Sequence, residues 1–115
     1  MDSENNIVLL YDYYGSLLTG RQQECIELRY CQDLSLAEIG QELQISRQSV
    51  YDTITRAENL LRKMESRTGC VGRDQACRKA ARAISENTKE LMLHPDPKVR
   101  DLARKIASAA YGLEE

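Results

Sequence analysis

From Asn5 to Leu18 the apolar residues Ile7, Leu10, Tyr11, Tyr14, Leu17 and Leu18 return at the spacing of one helical face, which predicts a first amphipathic helix. Thr19 to Gln22 then reads T-x-x-Q, a capping box whose two side chains satisfy each other's backbone N–H groups, so a second helix opens there. It carries Cys25, Ile26, Leu28 and Tyr30, and the polar turn-formers of CQDLS (Cys31 to Ser35) end it. Ser35 to Glu38 is a second capping box, S-x-x-E. The short helix it starts turns Leu36, Ile39 and Leu43 inward and Glu38, Gln41 and Glu42 outward. LQIS (Leu43 to Ser46) interrupts that helix, and Ser46 is suited to N-cap the next one.

From Arg47 no Gly or Pro occurs before Gly69, and Val50, Ile54, Ala57, Leu61 and Met64 follow steps of four, three, four and three. This is a helix-on-helix seam, and two heptads of it serve packing within the chain as well as pairing between copies. The two glycines of RTGCVGRD (Arg67 to Asp74) predict a break, and the Ala-rich Gln75 to Leu93 predicts a further helix. HPDP (His94 to Pro97) stops it. Asp96 then caps a last helix with Pro97 at its first position, running to about Tyr111 and presenting Val99, Leu102, Ala103, Ile106 and Ala110. No segment alternates with a strand's period and no internal repeat occurs. The expectation is an all-α chain: a helix-turn-helix domain over residues 1–67, and over 68–115 a C-terminal extension of about two helices. The extension either packs on the first domain or forms a dimer interface.

Composition agrees with this reading. The chain has 115 residues, 42% hydrophobic and 30% charged, which places it among soluble globular proteins of one domain or slightly more. With no Phe and no Trp, the core must come from aliphatic residues and six Tyr, which suits helix packing. No apolar run approaches the roughly 18 residues of a membrane helix. The opening MDSENN is polar and acidic, unlike a secretory signal, so a cytoplasmic protein with no membrane partner is expected. Cys25, Cys31, Cys70 and Cys77 lie at separations that do not match C-x2-C zinc spacing, and His94 is the one histidine. Reduced thiols and no metal or cofactor are expected. His94 sits beside a proline and reads as a helix-end residue. With no glycine-rich phosphate loop and no paired acids, no catalytic site is found, and the chain is not expected to be an enzyme.

Ser35 to Ile54 meets the requirements of a helix-turn-helix: a short support helix, a tight turn and a second helix with a polar leading edge. Gly40 supplies the small residue where the helices cross, and Ile39, Leu43, Ile45, Val50 and Ile54 supply the inner faces. Ser46, Arg47, Gln48 and Ser49 form the leading edge, with Asp52, Thr53 and Arg56 one and two turns later. Arg pairs with guanine, Gln with adenine, and Ser or Thr with a base edge or phosphate, while Asp52 tunes specificity by rejecting phosphate or accepting from cytosine. The same pattern also fits an ordinary helical hairpin with a solvated outer face.

Charge distribution favours the nucleic-acid reading. Formal net charge is -2, yet residues 1–45 carry two Arg against eight acidic residues, and residues 46–105 carry fourteen Lys and Arg against eight acidic residues. An acidic front therefore adjoins a basic back, and phosphate contact needs only a local basic face. Arg78 and Arg82 stand four residues apart in RDQACRKAAR and suit a phosphate backbone or simply water. Ser35 and Tyr51 are further candidate phosphate contacts; packing of Tyr51 on Leu36 or on the first helix is the alternative for that residue.

The stretch from Leu10 to about Met64, with LYDYYGSLLT, ELRY, DLSLAEI and ISRQSVYD, resembles the YlxM-like family of small bacterial helix-turn-helix proteins. It is similar, more distantly, to region 4 of sigma-70-type transcription factors. The resemblance implies an all-helical fold and an association, through gene neighbourhood, with the signal-recognition-particle GTPase. Two departures stand out: Gly40 where the family more often has Ala, and Gln44 where many such turns have Gly, at a cost if Gln44 is left-handed. Two functions follow as expectations. One is a DNA-binding regulator acting on duplex DNA as a homodimer, through the Val50 to Met64 seam or through Ala103, Ile106, Ala107 and Ala110. The other is an accessory factor of the signal recognition particle that binds its RNA or its GTPase.

Overall fold

The computed structural model describes residues Ser3–Leu113, with side chains from Asn6 onward. Met1 and Asp2 of the polar leader, and Glu114 and Glu115 of the C-terminal extension, lie outside the described residues. Six α-helices follow one another: α1 (Ser3–Tyr14), α2 (Gly20–Ile26), α3 (Leu36–Leu43), α4 (Arg47–Thr68), α5 (Cys70–Leu91) and α6 (Pro97–Tyr111). No strand occurs among the described residues.

The local signals govern most of the boundaries. Both expected capping boxes form: Thr19 with Gln22, and Ser35 with Glu38, each side chain accepting the other residue's backbone N–H. Ser46 Oγ accepts the Ser49 N–H at 3.0 Å and starts α4. Asp96 accepts the Lys98 N–H at 2.9 Å and starts α6, with Pro97 at its first position. In the preceding turn His94 Nδ1 accepts the Asp96 N–H, and Arg100 donates to the carbonyls of His94 and Pro95. His94 thus organises the turn between α5 and α6.

Three expectations need correction. α1 ends at Tyr14, and Gly15–Leu17 forms a 3-10 turn that leaves Leu17 69% exposed, so Leu17 does not join the core face. The second helix does end at Cys31, but not as a regular α-helix. It widens into a π-helical segment, Glu27–Cys31, closed by Leu34 N–H on the Leu28 carbonyl and by Arg29 donating to the Leu34 carbonyl. Finally, the break expected over Arg67 to Asp74 is one residue long. Gly69 takes a left-handed conformation (φ 64°) and α5 begins at once, running through Gly72. The helix restarts because its first N–H groups are met by side chains: Thr68 Oγ1 accepts from Cys70, and Glu65 Oε1 from Val71.

The chain divides into two compact units between Val71 and Gly72. In the first, α4 is the axis on which α1, α2 and α3 pack. Its core joins Ile7, Leu10 and Tyr14 of α1 to Cys25 and Ile26 of α2, Ile39 of α3, and Val50, Ile54, Ala57 and Leu61 of α4. The seam of α4 is therefore consumed within the chain. Each fully buried Ile or Val of this cluster contributes roughly 1.5–3 kcal/mol of transfer free energy. In the second unit the buried positions are small: Ala81 and Thr88 on α5, and Ala103 and Ala110 on α6, each pair seven residues apart. Thr88 meets its buried hydroxyl's need by donating to the Ser85 carbonyl. Ile84, Leu91, Leu102 and Ile106 remain exposed there. Among the cysteines only Cys25 is buried, and burial pushes its thiol pKa up; Cys31, Cys70 and Cys77 are exposed.

Candidate nucleic-acid interface

α3 and α4 form the helix-turn-helix, and the turn between them is held by one carbonyl. Gly40 O accepts the N–H groups of both Gln44 and Ile45. A Cβ on Gly40 would stand 2.8 Å from the Ile45 carbonyl oxygen, so the turn lies directly on the glycine. Gln44 does adopt the left-handed conformation (φ 58°, ψ 44°) that its position requires, without a glycine's freedom. Ile39 and Val50, both 0% exposed, lock the two inner faces.

The expected site residues divide by position. Arg47, Gln48, Asp52 and Arg56 are exposed along α4. Ser46 is exposed, with its hydroxyl oxygen occupied as the N-cap. Ser49 and Thr53 are half-buried, and Thr53 donates its hydroxyl to the Ser49 carbonyl at 2.8 Å, so its proton is directed to the helix backbone. Gln48 donates its side-chain amide to Asp52. Tyr51 is 51% exposed. Ser35 is exposed, and its backbone N–H and hydroxyl together hold the Glu38 carboxyl below its ordinary pKa. Arg78 and Arg82 lie on α5 in the second unit. Arg78 pairs with Asp74 at 3.3 Å and Arg82 is exposed.

Sequence reasoning missed where two carboxylates of α4 go. Tyr30 donates its hydroxyl to Glu58, and Tyr14 donates to Glu65 at 2.5 Å, both in half-buried surroundings. The Tyr14 oxygen also lies 2.6 Å from Thr68 Oγ1. Burial, followed by the bond to Glu65, raises the Tyr14 pKa. Tyrosines from earlier helices thus draw Glu58 and Glu65 toward the core side of α4. The exposed cations Arg47, Arg56, Arg62, Lys63 and Arg67 then face Asp52 as the one exposed carboxylate of that helix. Periodicity sets Glu58 and Glu65 next to the seam residues Ala57 and Met64, but nothing local names their partners, which are 28 and 51 residues away. The acidic side chains Glu24, Glu27 and Glu42 gather elsewhere in this unit, around a groove lined by α2, the π segment and α3.

No helix is long and apolar enough to cross a membrane among the described residues. A family model described as "Putative helix-turn-helix protein, YlxM / p13 like" (UPF0122) matches residues 1–100. A UPF0122 protein of Thermoanaerobacter sp. strain X514 is 40% identical over 102 residues, covering 88% of this chain and 87% of its own length. Another, from Desulforamulus reducens, is 51% identical over 73 residues, covering 64% of this chain and 62% of its own. A third, from Caldanaerobacter subterraneus, is 46% identical over 80 residues, covering 70% and 68%. The two-helix motif, its glycine-seated turn and these relatives converge: the chain belongs to the UPF0122 family of YlxM/p13-like helix-turn-helix proteins.

Proposed function

We propose that this protein is a DNA-binding regulator that places α4 in the major groove. One observation carries the reading: the exposed face of α4 bears five cations against a single carboxylate, because Tyr14 and Tyr30 hold Glu65 and Glu58 on its inner side. Such a face attracts phosphate even though the whole chain is acidic. Arg47 and Gln48, exposed on the first turn, are the base readers, and Asp52 and Arg56 extend the contact. Ser46, Ser49, Thr53, Ser35 and Tyr51 serve the backbone or the helix geometry.

A single motif of this size reads one half-site, so the reading includes a homodimer on a two-fold site. The seam of α4 is buried, which leaves the second unit to pair. There Ile84 and Leu91 on α5, and Leu102 and Ile106 on α6, are exposed. Arg78 and Arg82 add phosphate contacts from that unit.

The test is fluorescence anisotropy with the duplex upstream of the protein's own gene, a scrambled duplex, and signal-recognition-particle RNA, at low and physiological salt. Preference for the upstream duplex, lost in Arg47→Ala/Gln48→Ala, supports the regulator. Equal weak binding to all three ends it. Preference for the RNA supports the accessory-factor reading, which the exposed Tyr51 beside Arg47 favours, since an aromatic ring stacks on unpaired bases.

A further inference from the structure

The face of α4 does not stop at the residues that read bases. Ser49, Arg56 and Lys63 stand seven residues apart and so fall nearly in one line down the helix. Beside the lower part of this line an open groove of about 350 Å³ is lined by Gln22 of α2 and by Arg56, Asn59, Leu60 and Lys63 of α4. Its chemistry is mixed in a specific way. Leu60, 38% exposed, offers an apolar surface, two cations stand to either side of it in sequence, and two amides supply donors.

We infer that this groove seats the sugar–phosphate backbone of the bound duplex, with Lys63, Asn59 and Gln22 as phosphate contacts beyond the base-reading turns and Leu60 against the sugar. The inference rests on the DNA-binding reading above and deepens it. Helix length supports it. From Ser49 to Lys63 the axis advances about 21 Å, whereas the major groove is about 12 Å wide and 8.5 Å deep. A helix whose first turns touch base edges has therefore left the groove by Lys63, where the strand's phosphates run. A deoxyribose is apolar on one side and anionic at its phosphate, which matches a leucine floor between cations. The two cations are about 10 Å apart along the axis, enough to address separate phosphates of one strand.

The experiment is anisotropy of the full chain on the upstream duplex across a salt series. The variants are Lys63→Gln, Asn59→Ala and Leu60→Asp, with Arg104→Gln on α6 as a charge-matched control. All four residues are exposed, and circular dichroism checks that each variant folds. Lys63→Gln is expected to lower the slope of log affinity against log salt by about 0.9, one phosphate's worth, and to leave the upstream-to-scrambled ratio unchanged. Leu60→Asp is expected to weaken both duplexes about tenfold or more, by facing a phosphate with a carboxylate. The control is expected to leave the slope as in wild type. An unchanged slope in Lys63→Gln, or an equal drop in the control, overturns the seat while wild-type binding still supports DNA recognition. Absence of wild-type duplex binding at every salt overturns both.

Discussion

Gln48 Nε2 donates to Asp52 Oδ1 at 3.1 Å, one turn further along α4, so the one exposed carboxylate of that helix holds one of the two proposed base readers. The bond uses one of the two amide N–H groups of Gln48 and leaves the other, with the amide oxygen, for adenine. Asp52→Ala removes the tether and a negative charge from the exposed side of α4, which on the proposed reading faces phosphate. Tighter binding to upstream and scrambled duplexes is expected, with discrimination between them reduced by about 1–3 kcal/mol. Anisotropy on the two duplexes measures this, and weaker binding to both would contradict it.

Tyr14 ties α1 to the last turn of α4, where Glu65 in turn accepts the Val71 N–H that opens α5. Tyr14→Phe leaves a half-buried carboxylate short of a donor. Unfolding in urea should show a loss of about 1.5–3 kcal/mol, the range for a hydrogen bond to a charged group. A change below a few tenths of a kcal/mol would mean that Glu65 simply turns to water.

The motif holds one glycine under a close backbone approach and one strained residue in its turn. Gly40→Ala drives a methyl against the Ile45 carbonyl, a backbone atom that cannot swing aside, and about 1–3 kcal/mol should be lost. Gln44→Gly relieves the left-handed strain of about 1–2 kcal/mol and loses part of it to unfolded-state entropy, for a net gain below about 1 kcal/mol. Thermal melts of the two variants should move in opposite directions. A stabilised Gly40→Ala would refute the close approach.

Stability should fall at both ends of the pH scale for identifiable reasons. Tyr11 has its pKa pushed up to about 12 by burial and by its bond to Glu27, so the native state keeps the phenol's proton more tightly than the unfolded chain does. Its contribution is complete below the ordinary tyrosine value of about 10 and is lost as pH rises toward 12. Glu38 is shifted the other way: its contribution is present above the ordinary carboxylate range and is lost as pH falls through its lowered value. Urea midpoints of Tyr11→Phe above pH 10, and of Glu38→Gln below pH 5, should be flatter than those of wild type. Parallel curves would rule out these two groups as the source.

What the sequence determined by itself is what depends on neighbours a few residues apart. The caps at Thr19, Ser35, Ser46 and Asp96 each need a partner within three residues, so the starts of α2, α3, α4 and α6 were legible. The seam from Val50 to Leu61 was legible for the same reason, because helical periodicity is local. The left-handed cost at Gln44 could be stated in advance, since it concerns a single residue's backbone. Tertiary structure alone decided where charges point. Glu58 and Glu65 belong to the inner side of α4 only because Tyr30 and Tyr14 arrive there from helices far away in sequence, and nothing near either glutamate encodes that. The immediate restart of α5 after Gly69 has the same origin: Glu65 is held by Tyr14 and caps Val71, so a stretch with two glycines remains helical at the second. The groove at Lys63 exists only once Gln22 of α2 is packed beside α4. A helix face is written in the sequence; which of its charges remain on the outside is set by what packs against the inside.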